Sequence, residues 1–524
     1  MEKFFNIAGP CFAAQHYMLP ATERLPEVPG LIRKGCYFVI HAPRQSGKTT
    51  ALKQFVRDIN GSGERVALYC SLETLQYVTN AESAIPKIKN AICEAMRLSP
   101  PLAGFADELD ELRKKNTPSD DAVTGLMTYL SALAGKCEKP LVIFFDEADC
   151  LCFDPLVAFL RQLRNGYINR GEAPFPSSVA LVGLRNIKDY KVRVRPDGAS
   201  VGQASPFNIV TEVIPMRIFT LEEMRALYAQ HTAETGQVFD EQAIENAFRF
   251  SGGQPYLVNA LARWCVEKIH RDDYAQPITG ADMEEAKEKI IREQGTHLDS
   301  LLEKLEEPRV RAVVEPVMLG GEVDFDAQKD DISYCLDLGL LVNDNGALKP
   351  ANPIYAETIG RYLTRGTQEK VKRLCPETPW AKDDGLDMAG LMTAFQQFWR
   401  ENADANAVPY EYREAYPHLV LQAFLQRVIN GGGQIVREMA LGSGRLDLGV
   451  HFRGAVYAVE VKTLAVFEKS PEKAYDQVVR YMDRLGQPEG WLVVFDPDLT
   501  KPWDDKISTQ RLDRSGKAVH LIRC

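Results

Sequence analysis

Between Cys36 and Thr50 the chain reads CYFVIHAPRQSGKTT, and no other stretch restricts the possible folds as strongly. Cys36 to Ile40 form an apolar strand, which runs into a tight loop, and a helix is expected from about Lys48 to Asn60. The loop fits A-x-x-x-x-G-K-T, a phosphate-binding pattern with Ala42 where its first glycine normally stands. Residues Ala42, Pro43, Arg44, Gln45, Ser46, Gly47, Lys48, Thr49 and Thr50 would line such a cradle. Gly47 lets backbone amides approach phosphates, Lys48 can reach the β- and γ-phosphates, and Thr49 can offer its hydroxyl to Mg²⁺. The chemistry needs strand, loop and helix in that order, and all three are present.

A second stretch, PLVIFFDEADCL, supplies the acidic partner. Leu141 to Phe145 read as a strand buried on both faces, which implies a parallel sheet. Asp146 at its end can hold the magnesium ion through water, and Glu147 can polarise an attacking water. A further buried strand, SSVALVGLRN, ends in Arg185 and Asn186. Helices are expected over 220–236 and 240–269, punctuated by Ser251-Gly252-Gly253-Gln254-Pro255. Together these motifs resemble P-loop ATPases of the AAA+/STAND lineage over roughly residues 1–290. The resemblance implies an α/β RecA-like domain (1–218) and a helical lid (219–295), with ATP bound between them. It also implies that Arg185 senses the γ-phosphate and that Pro255 lines the adenine pocket. Arg161, Arg164 and Arg170 become candidates for an arginine finger reaching a neighbouring subunit, hence a homo-oligomer.

Residues 296–367 read as two helices, a third helix, a strand, an Asp344-Asn345-Gly346 turn, a strand and a closing helix. That order resembles a winged helix. Over 296–365 there are seven Lys and Arg against thirteen Asp and Glu, a poor basis for phosphate contacts. A protein partner fits this module better than a DNA groove. The polar stretch 368–389 is the expected linker.

The tail, 390–524, holds the second chemical cluster. QIVREMA, RLDLGVHF and AVYAVEVK are expected strands, followed by the amphipathic helix SPEKAYDQVVRYMDRLG and a buried strand, GWLVVFD. Asp447 and Glu460 stand on neighbouring strands of one hairpin, so their carboxylates can share one Mg²⁺ or Mn²⁺, with the Val461 carbonyl as a further ligand. Lys462 follows Glu460 by the two-residue strand period and can orient or deprotonate water. Gln477 and Tyr481 lie one helical turn apart on the next helix. The set resembles the PD-(D/E)xK nuclease superfamily, in particular its RecB-like branch with Q-x-x-x-Y. Leu446 replaces the proline of that pattern. The upstream helical acid of the family falls on Glu414, with Glu411 as its rival.

The whole chain thus resembles prokaryotic fusions of an AAA-like ATPase, a winged helix and a nuclease. The implied function is ATP-controlled, metal-dependent cleavage of nucleic acid, DNA in the first instance, in defence or mobile-element biology. Two rivals stand beside it: a signalling ATPase whose degenerate tail only binds a partner or DNA, and an oligomeric DNA translocase. No second RecA-like domain is visible, which counts against translocation by a single chain. The net charge of −10 argues against a protein that coats nucleic acid. No apolar run approaches the roughly 20 residues of a membrane span, and the N-terminus lacks a signal-peptide pattern. Eleven scattered cysteines without paired zinc spacing suit reduced thiols in a cytoplasmic protein.

Overall fold

Strands buried on both faces build the first half of the protein. The computed structural model describes residues 2–114, 120–151, 153–184, 208–293, 295–318, 328–374, 380–382, 385–402, 421–422, 424–425, 433–441, 444–496, 498 and 501–524. The chain divides into two compact units, Met1–Val314 with Asp324–Ala356, and Glu315–Val323 with Glu357–Cys524.

In the first unit β1 (Tyr37–His41), β2 (Val66–Ser71), β3 (Leu141–Asp146), β4 (Ser178–Gly183) and β5 (Val210–Pro215) form an all-parallel sheet of order β2-β3-β4-β1-β5. Alternation sorts each strand between two cores. Tyr37, Val39, Ile143, Phe145 and Leu181 face a layer that includes Ile85, Ile88, Leu130 and Phe159. Phe38, Ile40, Val142, Phe144 and Val182 face Leu25, Leu31, Leu52 and Phe55. Because both faces of β1, β3 and β4 are covered, those strands read as nearly unbroken apolar runs, whereas the edge strand β5, VTEVIP, keeps exposed polar residues. This is the α/β architecture with a parallel central sheet of a RecA-like P-loop core.

The order puts β4 between β1 and β3, so the ends of all three strands adjoin. After β5 a helical layer begins at Leu221–Thr235, held by a reciprocal Thr220–Glu223 capping box. It continues through Glu241–Ser251, Pro255–Arg263 and Gly280–Glu293. The helices Thr296–Lys304, Pro308–Met318 and Lys329–Asp337 follow, then the hairpin β6 (Leu341–Asp344) and β7 (Ala347–Pro350). Its turn residues Asn345 and Gly346 have φ of 54° and 90°, the left-handed pair that a two-residue hairpin demands. The helix Pro353–Leu374 then runs into the start of the stretch 368–389 expected as a linker.

The second unit opens with two short strands, β8 (Ala381–Lys382) and β9 (Gly385–Leu386), and the helix Met388–Asn402. Its six-stranded sheet comprises β10 (Gly433–Leu441), β11 (Gly444–Phe452), β12 (Ala455–Thr463), β13 (Glu489–Phe495), β14 (Ser508–Arg514) and β15 (Lys517–Arg523), in the order β10-β11-β12-β13-β15-β14. The β10–β11–β12 meander is antiparallel, while β12–β13 and β13–β15 pair in parallel. Phe395, Trp399, Val459, Val461, Val493 and Phe495 share the core beneath Met388–Asn402. Val478, Met482, Leu492, Val494 and Leu521 share the core beneath the helix Pro471–Leu485. The strands β14 and β15 have no counterpart in the sequence reading. The nine described cysteines are free thiols, and no described helix is long and apolar enough to cross a membrane.

Candidate functional site

The loop after β1 is built around two left-handed residues, Gln45 (φ 53°) and Gly47 (φ 88°). Ser46 Oγ donates to the Pro43 carbonyl at 2.8 Å, closing the turn from inside. Lys48 is buried, and its Nζ donates to the carbonyls of Ala42 and Pro43 at 2.8 and 2.9 Å. Burial pushes its ammonium below the usual lysine range, and the nearby Glu147, Asp149 and Asp146 offset part of that push. The next residue joins loop to acid, since Thr49 Oγ1 donates to Asp146 Oδ2 at 2.7 Å. Tyr69 on β2 donates to the same oxygen at 2.9 Å. Thr50, also expected in the cradle, accepts through Oγ1 from the Cys11 amide at 3.0 Å. A divalent ion fits the Thr49–Asp146 pair, because a hydroxyl and a buried carboxylate are hard oxygen donors.

Glu147 follows in the left-handed region (φ 54°). Burial, then Asp149, raises its carboxyl above the usual range, with Lys48 opposing. Asp149 was not singled out from sequence. Its Oδ2 accepts from the Leu184 amide at 3.1 Å, tying the turn after β3 to the end of β4. Gly183 makes room for it, as a Cβ there would lie 2.8 Å from Asp149 Oδ1. Arg185 lies outside the described residues, one position beyond Leu184.

Two other residues escaped the sequence reading. Arg24, in the short helix Ala21–Arg24, donates to the Ser46 carbonyl at 2.7 Å. Gln254 accepts from Leu257 N at 2.8 Å as the cap of Pro255–Arg263, and its Nε2 lies 3.5 and 3.4 Å from the carbonyls of Arg44 and Gln45. Pro255 is buried at the first position of that helix. Arg170 donates to the carbonyls of Gly35 and Ser177, ahead of β1 and β4.

In the second unit the register pairs Leu448 with Val459, and the β11–β12 ladder stops there. Leu448, Val450 and Phe452 face the core under Met388–Asn402, whereas Leu446 packs with Ala458 and Tyr481 on the other side. Strict alternation would keep Leu446 and Leu448 on one face, so β11 changes face at Asp447. The released Asp447 side chain accepts from the Val461 amide at 2.8 Å. Lys462 Nζ lies 2.5 Å from Glu460 Oε1 and 3.6 Å from Asp447 Oδ2. Glu460 is fully buried, and its Oε2 has no hydrogen-bond partner among the described residues. Burial, then Asp447, pushes its carboxyl up to about 7, against the pull of Lys462. Burial also disfavours the Lys462 ammonium, but Asp447 and Glu460 outweigh it and raise its pKa.

Gln477 Nε2 donates to the Tyr481 hydroxyl at 3.2 Å on the helix covering that face. Among the described residues no three His, Cys, Asp or Glu form a metal cluster. Two carboxylates with an orphaned oxygen still suit a hard divalent ion. Glu414 and its rival Glu411 lie outside the described residues, as does any account of an upstream helical acid.

The model of the AAA-like domain family matches residues 27–357. Solved structures similar to this chain include a Walker-type ATPase of Pyrococcus abyssi, at 14% identity and TM-score 0.46, covering 68% of this chain and 99% of that one. The Orc1 protein of Aeropyrum pernix in complex with DNA is also similar, at 14% identity and TM-score 0.35, covering 67% and 95%. The Thermotoga maritima RuvB Holliday-junction branch-migration motor shows 13% identity and TM-score 0.34, covering 63% and 90%. No curated protein matches the chain.

Proposed function

Because the chain belongs to the AAA-like domain family, we propose that it hydrolyses ATP and thereby controls a metal-dependent nuclease in residues 390–524 that acts on DNA. The setting in defence or mobile-element biology rests on resemblance. The observation that most supports a nuclease is the convergence of Asp447, Glu460 and Lys462 where β11 and β12 part, with one Glu460 oxygen lacking a partner among the described residues.

In the ATPase half, Lys48 holds the β- and γ-phosphates, and Thr49 with Asp146 holds Mg²⁺. Glu147 takes the proton of the attacking water, a role that a raised carboxyl suits. Arg185 senses the γ-phosphate, and Pro255 borders the base. In the tail, Asp447, Glu460 and the Val461 carbonyl would hold Mg²⁺ or Mn²⁺, with Glu414 or its rival Glu411 as the upstream acid. When bound there, such an ion would offset charge on the scissile phosphate and lower the pKa of water. Lys462 orients that water, while Gln477 and Tyr481 position the substrate strand. The hairpin β6–β7 and its helices act as a winged helix for protein contact, and Arg161, Arg164 or Arg170 serves a neighbouring subunit.

The test is purified full-length chain with supercoiled and linear DNA, with and without ATP and Mg²⁺. Cleavage that needs Mg²⁺, responds to nucleotide and disappears in Lys462→Ala, while ATP hydrolysis continues, is the expected result. A chain that cuts no nucleic acid under any nucleotide condition and binds no divalent ion in its tail would favour the partner-binding rival.

A further inference from the structure

Arg24 is a buried cation that the ATPase reading does not use. It sits on the helix Ala21–Arg24, ahead of β1, with its side chain almost wholly enclosed. Its Nη1 donates to the Ser46 carbonyl of the phosphate loop at 2.7 Å. Its Nε and Nη2 both donate to the Arg217 carbonyl, at 3.2 and 2.5 Å, between β5 and the helical layer. The guanidinium carbon also lies 4.9 Å from the Phe219 ring centre.

From Phe219 the contacts lead back to the loop. Phe219 N donates to the Gly253 carbonyl at 2.9 Å, and the adjoining Gln254 lies against the carbonyls of Arg44 and Gln45. Loop, Arg24, layer root and Gln254 therefore form one closed circuit. We propose that Arg24 is a positioning residue that couples the phosphate loop to the root of the helical layer, so that nucleotide affinity and the layer's response to nucleotide both depend on it.

A trans peptide holds its C=O and the following N–H on opposite sides, so anchoring the Ser46 oxygen orients the Gly47 amide away from Arg24. Phosphate loops bind through such amides. Burying a guanidinium against carbonyls rather than a carboxylate also costs desolvation, and burial lowers Arg24 to about 10, with Glu223 opposing. A neutral side chain could brace the loop without that cost, whereas a cation adds field where phosphates bind. Finally, the planar fork sets separate nitrogens on the Ser46 and Arg217 carbonyls, a three-bond arrangement that the single nitrogen of a lysine does not reproduce.

The coupling rests on the ATP-site reading, and the experiment separates the two. ATPase kinetics, fluorescent-ATP titration and thermal melting are compared for wild type, Arg24→Lys, Arg24→Gln and, as a control, Lys48→Ala. Arg24→Lys is expected to raise KM for ATP about tenfold, the effect of losing one charge-assisted hydrogen bond. Its kcat at saturating ATP should change less than its KM, and ATP should raise its melting temperature less than that of wild type.

Hydrogen exchange on the wild-type chain tests the circuit without any variant. ATP should protect the peptides over 43–49 and over 215–220 together. A lowered melting temperature with unchanged KM would make Arg24 a strut only and overturn the proposal. Protection confined to 43–49 would overturn it as well. Wild-type protein that binds no ATP would instead refute the ATP-site reading on which the coupling depends.

Discussion

Glu460 gains too little from its neighbours to offset its burial. Burial first, and Asp447 second, raise its carboxyl from 4.5 to about 7 despite Lys462. A carboxyl raised in the folded state stabilises the chain below its unfolded pKa and loses that contribution as pH climbs through the folded value. Without metal, the second unit should therefore weaken between about pH 4.5 and 7, and Mg²⁺ should restore it. Conversely, protons compete with the ion, so Mn²⁺ titrated by calorimetry should bind more weakly at about pH 6 than at about pH 8. Affinity that does not vary with pH would remove Glu460 from the ligand set. Asp149 makes a parallel case in the ATPase half, where burial and then its charge raise Glu147. Asp149→Asn keeps an oxygen for the Leu184 amide but loses the charge, so the acid limb of kcat should move to lower pH. A pH profile identical to wild type would show that Asp149 only braces β4. The meetings of the phosphate loop with Asp146, and of Asp447 and Glu460 with Lys462, were legible because they follow from strand order and short spacings along strands and loops. Arg24 and Gln254 were not, since they meet the loop across 22 and 210 positions of chain, and no local pattern records that meeting.

At the scale of elements, legibility followed hydrophobic period. Of the parallel strands, β1, β3 and β4 announced themselves as apolar runs, whereas β2 and β5 were not read from the sequence, since VTEVIP of β5 carries exposed polar residues. The pair β14 and β15 stayed hidden because STQRLDR is mostly polar, and its burial is only partial. The Ser515-Gly516 turn between them, with φ of 55° and 77°, was the one available signal. The face change at Asp447 was equally hidden, because an alternation pattern says nothing of where a ladder stops. Tertiary contact also puts the segment after the helix Lys329–Asp337 against the phosphate loop. Gly339 has φ 71°, and a Cβ there would lie 2.7 Å from Pro43 Cγ. His41 Nδ1 is 3.8 Å from Asp337 Oδ1 at the same place. Gly339→Ala must therefore strain its own backbone or displace Pro43, at a cost of about 1–3 kcal/mol. If Pro43 yields, KM for ATP rises while the melting temperature changes little. A lowered melting temperature with unchanged KM would mean that the strain stays in the hairpin module and never reaches the loop.

For the whole molecule, the proposed function requires a nucleotide to change what the tail does, and binding energy limits how it can. A ligand shifts an equilibrium only by its difference in affinity for the two states. ATP can supply that difference if its γ-phosphate is held by Lys48 and by the end of β4 while the helical layer presses on the loop through Gln254. On the proposed function, hydrolysis would then remove the difference and return the tail to its other state. Glu147→Gln separates these events, because an amide cannot accept the water proton yet leaves Lys48, Thr49 and Asp146 unchanged. The variant should bind ATP with wild-type affinity, hydrolyse it at least about 100-fold more slowly, and hold the nuclease in its ATP state. DNA cleavage by this variant in ATP should therefore be locked, either continuously active or continuously silent, where wild type drifts as ATP is consumed. In the absence of nucleotide the two proteins should cut alike, since nothing outside Glu147 has changed. Identical cleavage by both proteins with and without ATP would show that the two activities merely share a chain. The salt dependence of cleavage carries the last constraint. A chain of net charge −10 gathers few phosphates, and residues 386–524 hold seventeen Lys and Arg against eighteen Asp and Glu. The proposed nuclease should consequently lose less activity between low and moderate salt than a basic one. Steep salt inhibition would instead reveal a concentrated cationic groove within that balanced composition.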